Sequence, residues 1–261
     1  MTALSNDATT RREPGLVGQT VVVIGGSSGI GLSTARAARA EGADVVLTAR
    51  DPDRLHRAAD DLGARRYAAF DAHDPDRLRT FFDGLPTQVD HVMVTAGSPY
   101  YAPLAEMDIA DAARHVGDHV RLVLEVARQS ARTVRPGGTL LLMGGTGGRR
   151  PAAGLAVTAL LTVGLPALVA ALAVELAPVR VNLVAAGFVD TPLGVAARRR
   201  ARRAPGAAPG VPAHPPGRHR RRRRRARRAP HGELRAHRSG VRRRRRPAAP
   251  LIGRGCCPSR L

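Results

Sequence analysis

A chain of 261 residues with 43% hydrophobic content is long enough for one large α/β domain with a proper core. Its formal net charge of +21 lies at one end: residues 198–260 hold 23 of the 42 basic residues and one acid, Glu233, leaving 19 basic and 20 acidic residues before them. Every basic residue is Arg, and the two cysteines, Cys256 and Cys257, are adjacent in the basic stretch, which excludes a disulfide framework and offers no metal-ligand spacing.

Residues 1–15, MTALSNDATTRREPG, lack an apolar segment and read as a disordered leader rather than a signal peptide, so a cytoplasmic location is expected. A domain at 16–195 opens with TVVVIGGSSGIG, residues 20–31, a buried strand running into a glycine turn and then a helix. Such a turn holds a dinucleotide pyrophosphate: Gly25 permits the tight turn, Gly29 lets backbone approach the phosphates, and Gly31 permits close helix-on-strand packing, with Ser27, Ser28 and Ile30 completing the loop. The unpaired N–H groups of the helix then face the anion.

Further strands are expected at 43–48 (ADVVLT), 66–70, 91–95 (HVMVT), 138–143 (GTLLLM) and 179–184 (VRVNLV), with helical stretches between them. That alternation predicts βαβ units and a Rossmann-like, doubly wound parallel sheet in the α/β class. Residues 155–174 carry no charge and are long enough for a membrane span, yet the run leads directly into a helix end and a core strand. The expected role is a helix buried against the sheet and a subunit neighbour, making a homo-oligomer and no membrane contact, with Pro166 kinking or breaking it.

At the end of the second strand a carboxylate binds a ribose 2′-hydroxyl, whereas an Arg accommodates a 2′-phosphate. Here the strand ends in Thr48, Ala49 and Arg50, which favours NADP(H) over NAD(H). The other reading is an Arg at a solvated strand end, neutralised by Asp51.

The spacing G-x-x-x-G-x-G resembles the short-chain dehydrogenase/reductase family, whose opening is T-G-x-x-x-G-I-G, with Ile24 in place of the Thr. Asp71-Ala72 resembles the family's D-V pair, which implies that Asp71 contacts the adenine amino group and Ala72 the ring. Thr95-Ala96-Gly97 resembles its N-A-G, where small residues let the cofactor lie on backbone. Ala186-Gly187-Phe188-Val189 followed by Thr191-Pro192 resembles P-G-x-V-x-T-P, which implies that Gly187, Val189 and Thr191 hold the nicotinamide carboxamide and a phosphate.

The resemblance also implies a Tyr proton donor, a Lys four residues on, a Ser and an Asn. Their positions fall on Thr158, Thr162, Gly145 and His119, and since the chain contains no Lys, no shift of alignment restores the pair. Thr158 cannot act as a general acid near neutral pH. Thr146 is a candidate to polarise a carbonyl, His119 to supply a proton, and Tyr100 and Tyr101 are expected to face the cleft. Two functions follow as expectations: an NADP(H)-dependent oxidoreductase acting on a carbonyl or alcohol through a non-standard acid, or a catalytically silent dinucleotide-binding or interaction protein.

Residues 196–261 admit three readings: a nucleic-acid-binding arm, since +22 would attract phosphate; a solvated extension; or an out-of-frame translation. The tail lacks the interleaved aromatics of a nucleic-acid binder. The family resemblance implies a further helix and a last strand ending T-G-x-x-x-x-V-D-G-G, absent in this frame. With free codon choice, residues 231–249 re-read from the second base as MVNCALTGAVYDVDGGQQ, and 221–230 as ADVAALAVHL. The out-of-frame reading is favoured, and with it the expectation that nucleic acid is not a partner and that the 261-residue product is poorly soluble.

Overall fold

A computed structural model describes residues 15–86, 88–149, 152–187 and 189–195; the expected leader up to residue 14, the tail from 196 and Phe188 lie outside the described residues. Among the described residues six strands and five α-helices alternate: β1 (Thr20–Ile24), α1 (Gly29–Ala40), β2 (Asp44–Ala49), α2 (Pro52–Leu62), β3 (Arg66–Ala69), α3 (Pro75–Asp83), β4 (Val89–Val94), α4 (Ile109–Thr133), β5 (Val134–Gly145), α5 (Ala156–Glu175) and β6 (Arg180–Ala186). The sheet order is β3-β2-β1-β4-β5-β6 and every pairing is parallel. Strand order reverses between β1 and β4, so the crevice past their carboxyl ends is where a doubly wound sheet takes a ligand.

Strand residues alternate between the two faces. Val22, Ile24, Val92, Val94, Leu140 and Leu142 join a core with Leu78 and Phe82 of α3, Leu122 and Val126 of α4, and Leu165, Val169 and Leu172 of α5. Val21, Val23, Val45 and Leu47 face the other way, onto Ala35 and Ala38 of α1 and Leu55, Ala58 and Leu62 of α2. Each fully buried Val or Leu contributes about 1.5–3 kcal/mol against exposure, and so the two interdigitated layers hold the strand ends in place.

The starts of α2, α3 and α4 are set by acids. Asp51, Asp74 and Asp108 accept first-turn backbone N–H groups of α2, α3 and α4 at 2.9, 3.1 and 2.9 Å, and α2 and α3 have Pro in the first turn. Pro166 does not break α5, which runs unbroken from Ala156 to Glu175. Buried residues on both sides of the proline, Val157 before it and Val169 and Leu172 after it, seat the two halves on the core, and that packing outweighs the lost hydrogen bond. By length and composition α5 could span a membrane, with a mean hydropathy of 2.3, but its buried face makes it the crossover between β5 and β6. Leu160, Val163 and Val174 on its other side are 60%, 65% and 80% exposed.

The last strand is an edge: among the described residues β6 pairs with β5 alone. Val184 of β6 is 45% exposed and Met143 of β5, its register partner, is half-buried.

Candidate functional site

Past Ile24 the chain turns through Gly25 (φ +97°) and Gly29 (φ +54°), backbone angles that L side chains rarely adopt. Space is as restrictive as angle. A Cβ on Gly25 would lie 2.6 Å from Thr95 Oγ1 and 2.8 Å from Ala96 N, and one on Gly31 would lie 2.3 Å from the Gly25 carbonyl oxygen and 2.6 Å from Thr95 Oγ1. The Thr95 hydroxyl is within donating distance of the Gly25 (3.0 Å) and Ile24 (3.2 Å) carbonyls, and the Ala96 N–H donates to Ile24 O at 3.1 Å. These bonds clamp the glycine turn to the end of β4 at the point where strand order reverses.

The first turn of α1 receives no side-chain cap: Ser28 is extended and makes no capping bond, and no acid stands in the first turn. Its N–H groups therefore remain donors for an anion. Ser27 is buried, and Ser28 and Ile30 are half-buried. From the segment after β6, Thr191 approaches to 3.4 Å from the position of a Gly29 Cβ, so this segment overlies the turn; Gly187 stands in open space and Val189 is exposed.

Beyond β2, Arg50 is exposed. Asp51 is occupied elsewhere, capping α2 and pairing with Arg54 at 3.5 Å. Asp71, past β3, takes the His73 N–H (3.1 Å) and His73 Nδ1 (3.0 Å) on the same oxygen, Oδ1. Partial burial would raise its pKa, but the His73 bonds and the charges of His73 and Arg50 outweigh that and hold the carboxyl below its usual range. Ala72 beside it is buried.

Asp71 and His73 form one wall of a cleft of about 200 Å³, with Gly97 and Ser98 after β4 and His115, Asp118 and His119 of α4 completing it. His119 Nδ1 lies 3.7 Å from where a Gly97 Cβ would be. Its pKa is pushed down by burial first and then by His115 and His73. His115 packs on the Tyr100 ring, centroids 5.4 Å apart, and its Nε2 is buried without a hydrogen-bond partner among the described residues. Sequence reading had identified Asp71, Gly97 and His119 separately; it missed His73, Ser98, His115 and Asp118. The spacing of His115, Asp118 and His119, one face of a helix, was the available signal.

At the positions of the family's proton relay the hydroxyls are engaged by backbone. Thr158 Oγ1 donates to the Tyr100 carbonyl at 2.6 Å, and Thr162 Oγ1 accepts from the Gly148 N–H at 2.8 Å and lies 3.2 Å from the Ala159 carbonyl. Gly145 and Gly147 pack against them: a Cβ would lie 3.1 Å from Thr162 Cγ2 in one case and 3.1 Å from Thr158 Cγ2 in the other. Thr146 donates its N–H to Ala186 O, joining β5 to β6. The Tyr100 hydroxyl donates to the Asp108 carbonyl at 3.3 Å. Desolvation and then Asp111 and Asp108 push the Tyr100 phenol up, and burial does the same to Tyr101, so neither is a ready acid near neutral pH.

The family model described as enoyl-(acyl carrier protein) reductase matches residues 24–214, more than half of the chain. A short-chain dehydrogenase/reductase of Stachybotrys chlorohalonatus is 30% identical over 189 residues, covering 67% of this chain and 75% of the relative. The cyclic-di-GMP-binding biofilm dispersal mediator protein of Escherichia coli is 30% identical over 179 residues, covering 67% and 74%. Among solved structures, BdcA in complex with NADPH superposes with a TM-score of 0.64 at 28% identity, covering 69% of this chain and 74% of that one. A short-chain dehydrogenase/reductase from Serratia marcescens gives 0.64 at 29%, covering 69% and 78%.

Proposed function

The chain belongs to the short-chain dehydrogenase/reductase family of oxidoreductases, and from that membership we propose that it binds NADP(H) in preference to NAD(H) and reduces a carbonyl, or oxidises an alcohol, with His119 holding the exchanged proton. The observation that carries the binding half is the glycine cradle, whose space a Cβ on Gly25 or Gly31 would fill, facing an α1 with uncapped N–H groups. Such a cradle fits a pyrophosphate. Exposed Arg50, with Asp51 drawn off by Arg54, fits a 2′-phosphate. The bound NADPH complex of a solved relative supports the same reading.

The nicotinamide cofactor supplies the hydride. A positioned side-chain donor speeds the accompanying proton transfer, and here the chain has no Lys while the hydroxyls of Thr158 and Thr162 are committed to backbone. His119 is the titratable group of the cleft that stands against Gly97. Because its pKa is held below the usual imidazole value, its protonated fraction is small at neutral pH, and carbonyl reduction should speed up toward acid. NADPH oxidation with a carbonyl panel between pH 5 and 8 tests this: a rate that rises toward acid and vanishes in His119→Ala supports it, and turnover that survives the substitution refutes it.

The binding of Thr158 and Thr162 to backbone favours a second reading, a dinucleotide-binding protein without turnover. NADPH affinity without oxidation of any substrate would establish it. Cyclic di-GMP belongs in the same titration, because a relative carries that ligand in its name. A second copy of the chain, seated on the exposed apolar side of α5 at Leu160 and Val163, is part of either reading, and light scattering across a dilution series tests it.

The frame of residues 196–261 is the remaining proposal for the chain's organisation. The outer side of β6, unpaired among the described residues, and the exposed Val184 support a missing helix and strand there, encoded one base out of frame, over a basic arm that binds nucleic acid. Sequencing the gene across codons 190–261 decides it. A stop codon in the shifted frame would end the proposal.

A further inference from the structure

We propose that Tyr67 is a modification site, a nucleophilic phenol that takes the acyl group of an activated ester with His56 as its general base. The site stands on β3, the outermost strand on that side of the sheet among the described residues, and none of its side chains lines the cleft of His119. Tyr67 pairs in register with Leu47, which packs against α2. The phenol hydroxyl lies 2.9 Å from His56 Nδ1 on that helix, with the two rings tilted at 43° and their centroids 5.8 Å apart. One turn further along α2, Asp60 Oδ2 lies 3.5 Å from His56 Nε2.

Carboxylate, imidazole and hydroxyl thus form a chain. A carboxylate at Nε2 keeps the ring hydrogen there, which leaves Nδ1 as the acceptor and the phenol as the donor. In that arrangement a base takes the proton of a hydroxyl as it attacks. The Tyr67 oxygen bonds to the acyl carbon while its proton passes to Nδ1. The ester's carbon–oxygen bond breaks, its electron pair leaves with the departing oxygen, and the imidazolium returns the proton to that oxygen. Phosphoryl transfer would ask for cations on the equatorial oxygens, whereas this hydroxyl faces an imidazole with a carboxylate behind it. Tyr67 is 44% exposed, so an ester reaches it. The other two tyrosines are poorer acceptors: the Tyr100 hydroxyl donates to the Asp108 carbonyl, and desolvation pushes both phenols up. With no Lys in the chain, no side-chain amine competes for the ester.

The test treats the full chain with p-nitrophenyl acetate and follows acetylation of each tyrosine by peptide mass spectrometry. Tyr67 should react on the order of tenfold faster than Tyr100 or Tyr101. His56→Ala takes a ring off the phenol, so exposure alone would speed the labelling of Tyr67, whereas loss of the base should slow it on the order of tenfold. Asp60→Asn should slow it about threefold, the worth of an exposed ion pair. Added imidazole should restore the rate in His56→Ala. Both side chains are exposed, so these variants keep the fold, which circular dichroism checks. Labelling of Tyr67 that is unchanged or faster in His56→Ala overturns the proposal, as does labelling of Tyr100 or Tyr101 at the rate of Tyr67. Undiminished p-nitrophenolate release in Tyr67→Phe would place the reaction elsewhere and overturn it too.

Discussion

Replacing Gly31 by Ala tests the glycine cradle most directly. The new methyl carbon would lie 2.3 Å from the Gly25 carbonyl oxygen and 2.6 Å from Thr95 Oγ1. An ordinary carbon–oxygen contact is about 1 Å longer than the first of these, and the obstacle is backbone, which no rotamer change relieves. α1 must therefore ride outward from β1, at a cost of about 1–3 kcal/mol for overpacking. For a domain of this size that corresponds to a fall in Tm of roughly 2–12 °C. The same displacement moves the uncapped N–H groups of α1 off the pyrophosphate, so NADPH affinity should fall on the order of tenfold. Gly164→Ala in α5 is the control, because a Cβ there meets nothing within 4 Å. As a glycine replaced inside a helix it should raise stability by about 0.5–1 kcal/mol and leave NADPH affinity unchanged. Calorimetric melts and NADPH titrations of the two variants side by side give the answer. If Gly31→Ala melts and binds like Gly164→Ala, the packing argument for the cradle is wrong.

Thr162→Val removes the acceptor of the Gly148 N–H and should destabilise the protein by about 1 kcal/mol, seen as a lower denaturant midpoint at unchanged slope. Asp90 receives the Thr20 N–H at 2.8 Å and the Arg135 guanidinium; burial raises its pKa, but those bonds and the nearby charges of Arg135 and His91 bring it below 3.8 overall. A depressed folded pKa means stability that is present above the unfolded value and lost as pH falls through the folded one, so the wild-type Tm should drop as pH goes below about 4. Asp90→Asn should melt lower at pH 7, on the order of 1 kcal/mol, and show a shallower acid decline; parallel curves would refute the assignment. Gly117→Ala in α4 meets no atom within 4 Å and should raise stability by about 0.5–1 kcal/mol in a thermal melt.

The strands were legible because parallel strands buried on both faces are nearly continuous apolar runs, as in VVVI of β1 and VVL of β2. The expected bounds at 43–48 and 66–70 are each one residue from the observed ones at one or both ends. β5 was expected from Gly138 and begins at Val134, because Arg135-Pro136-Gly137-Gly138 reads as a turn while the chain still pairs Val89 with Val134 across an irregularity. Pro166 was expected to kink or break the helix, and the helix is unbroken: local propensity opposes it and burial of both its halves restores it. The substitutions at Thr158 and Thr162 were readable from the absence of Lys, but not their new use, since the partners Tyr100 and Gly148 stand 58 and 14 residues away. The cleft was hidden for the same reason: His73, after β3, and His115, in α4, line it together although they are far apart in the chain.

The edge of β6 has a consequence for handling the protein. Among the described residues β6 is paired on one side only, and a strand so paired offers its outward N–H and C=O groups as a template on which another chain can add; the charge of β6 that would blunt it, Arg180, stands at one end. Asn182 to Ala186 carry no charge to interrupt such growth. Association through this row is a bimolecular event, so loss of the folded chain should follow concentration as steeply as it follows temperature, and dilute samples should outlast concentrated ones at the same degree below the melt.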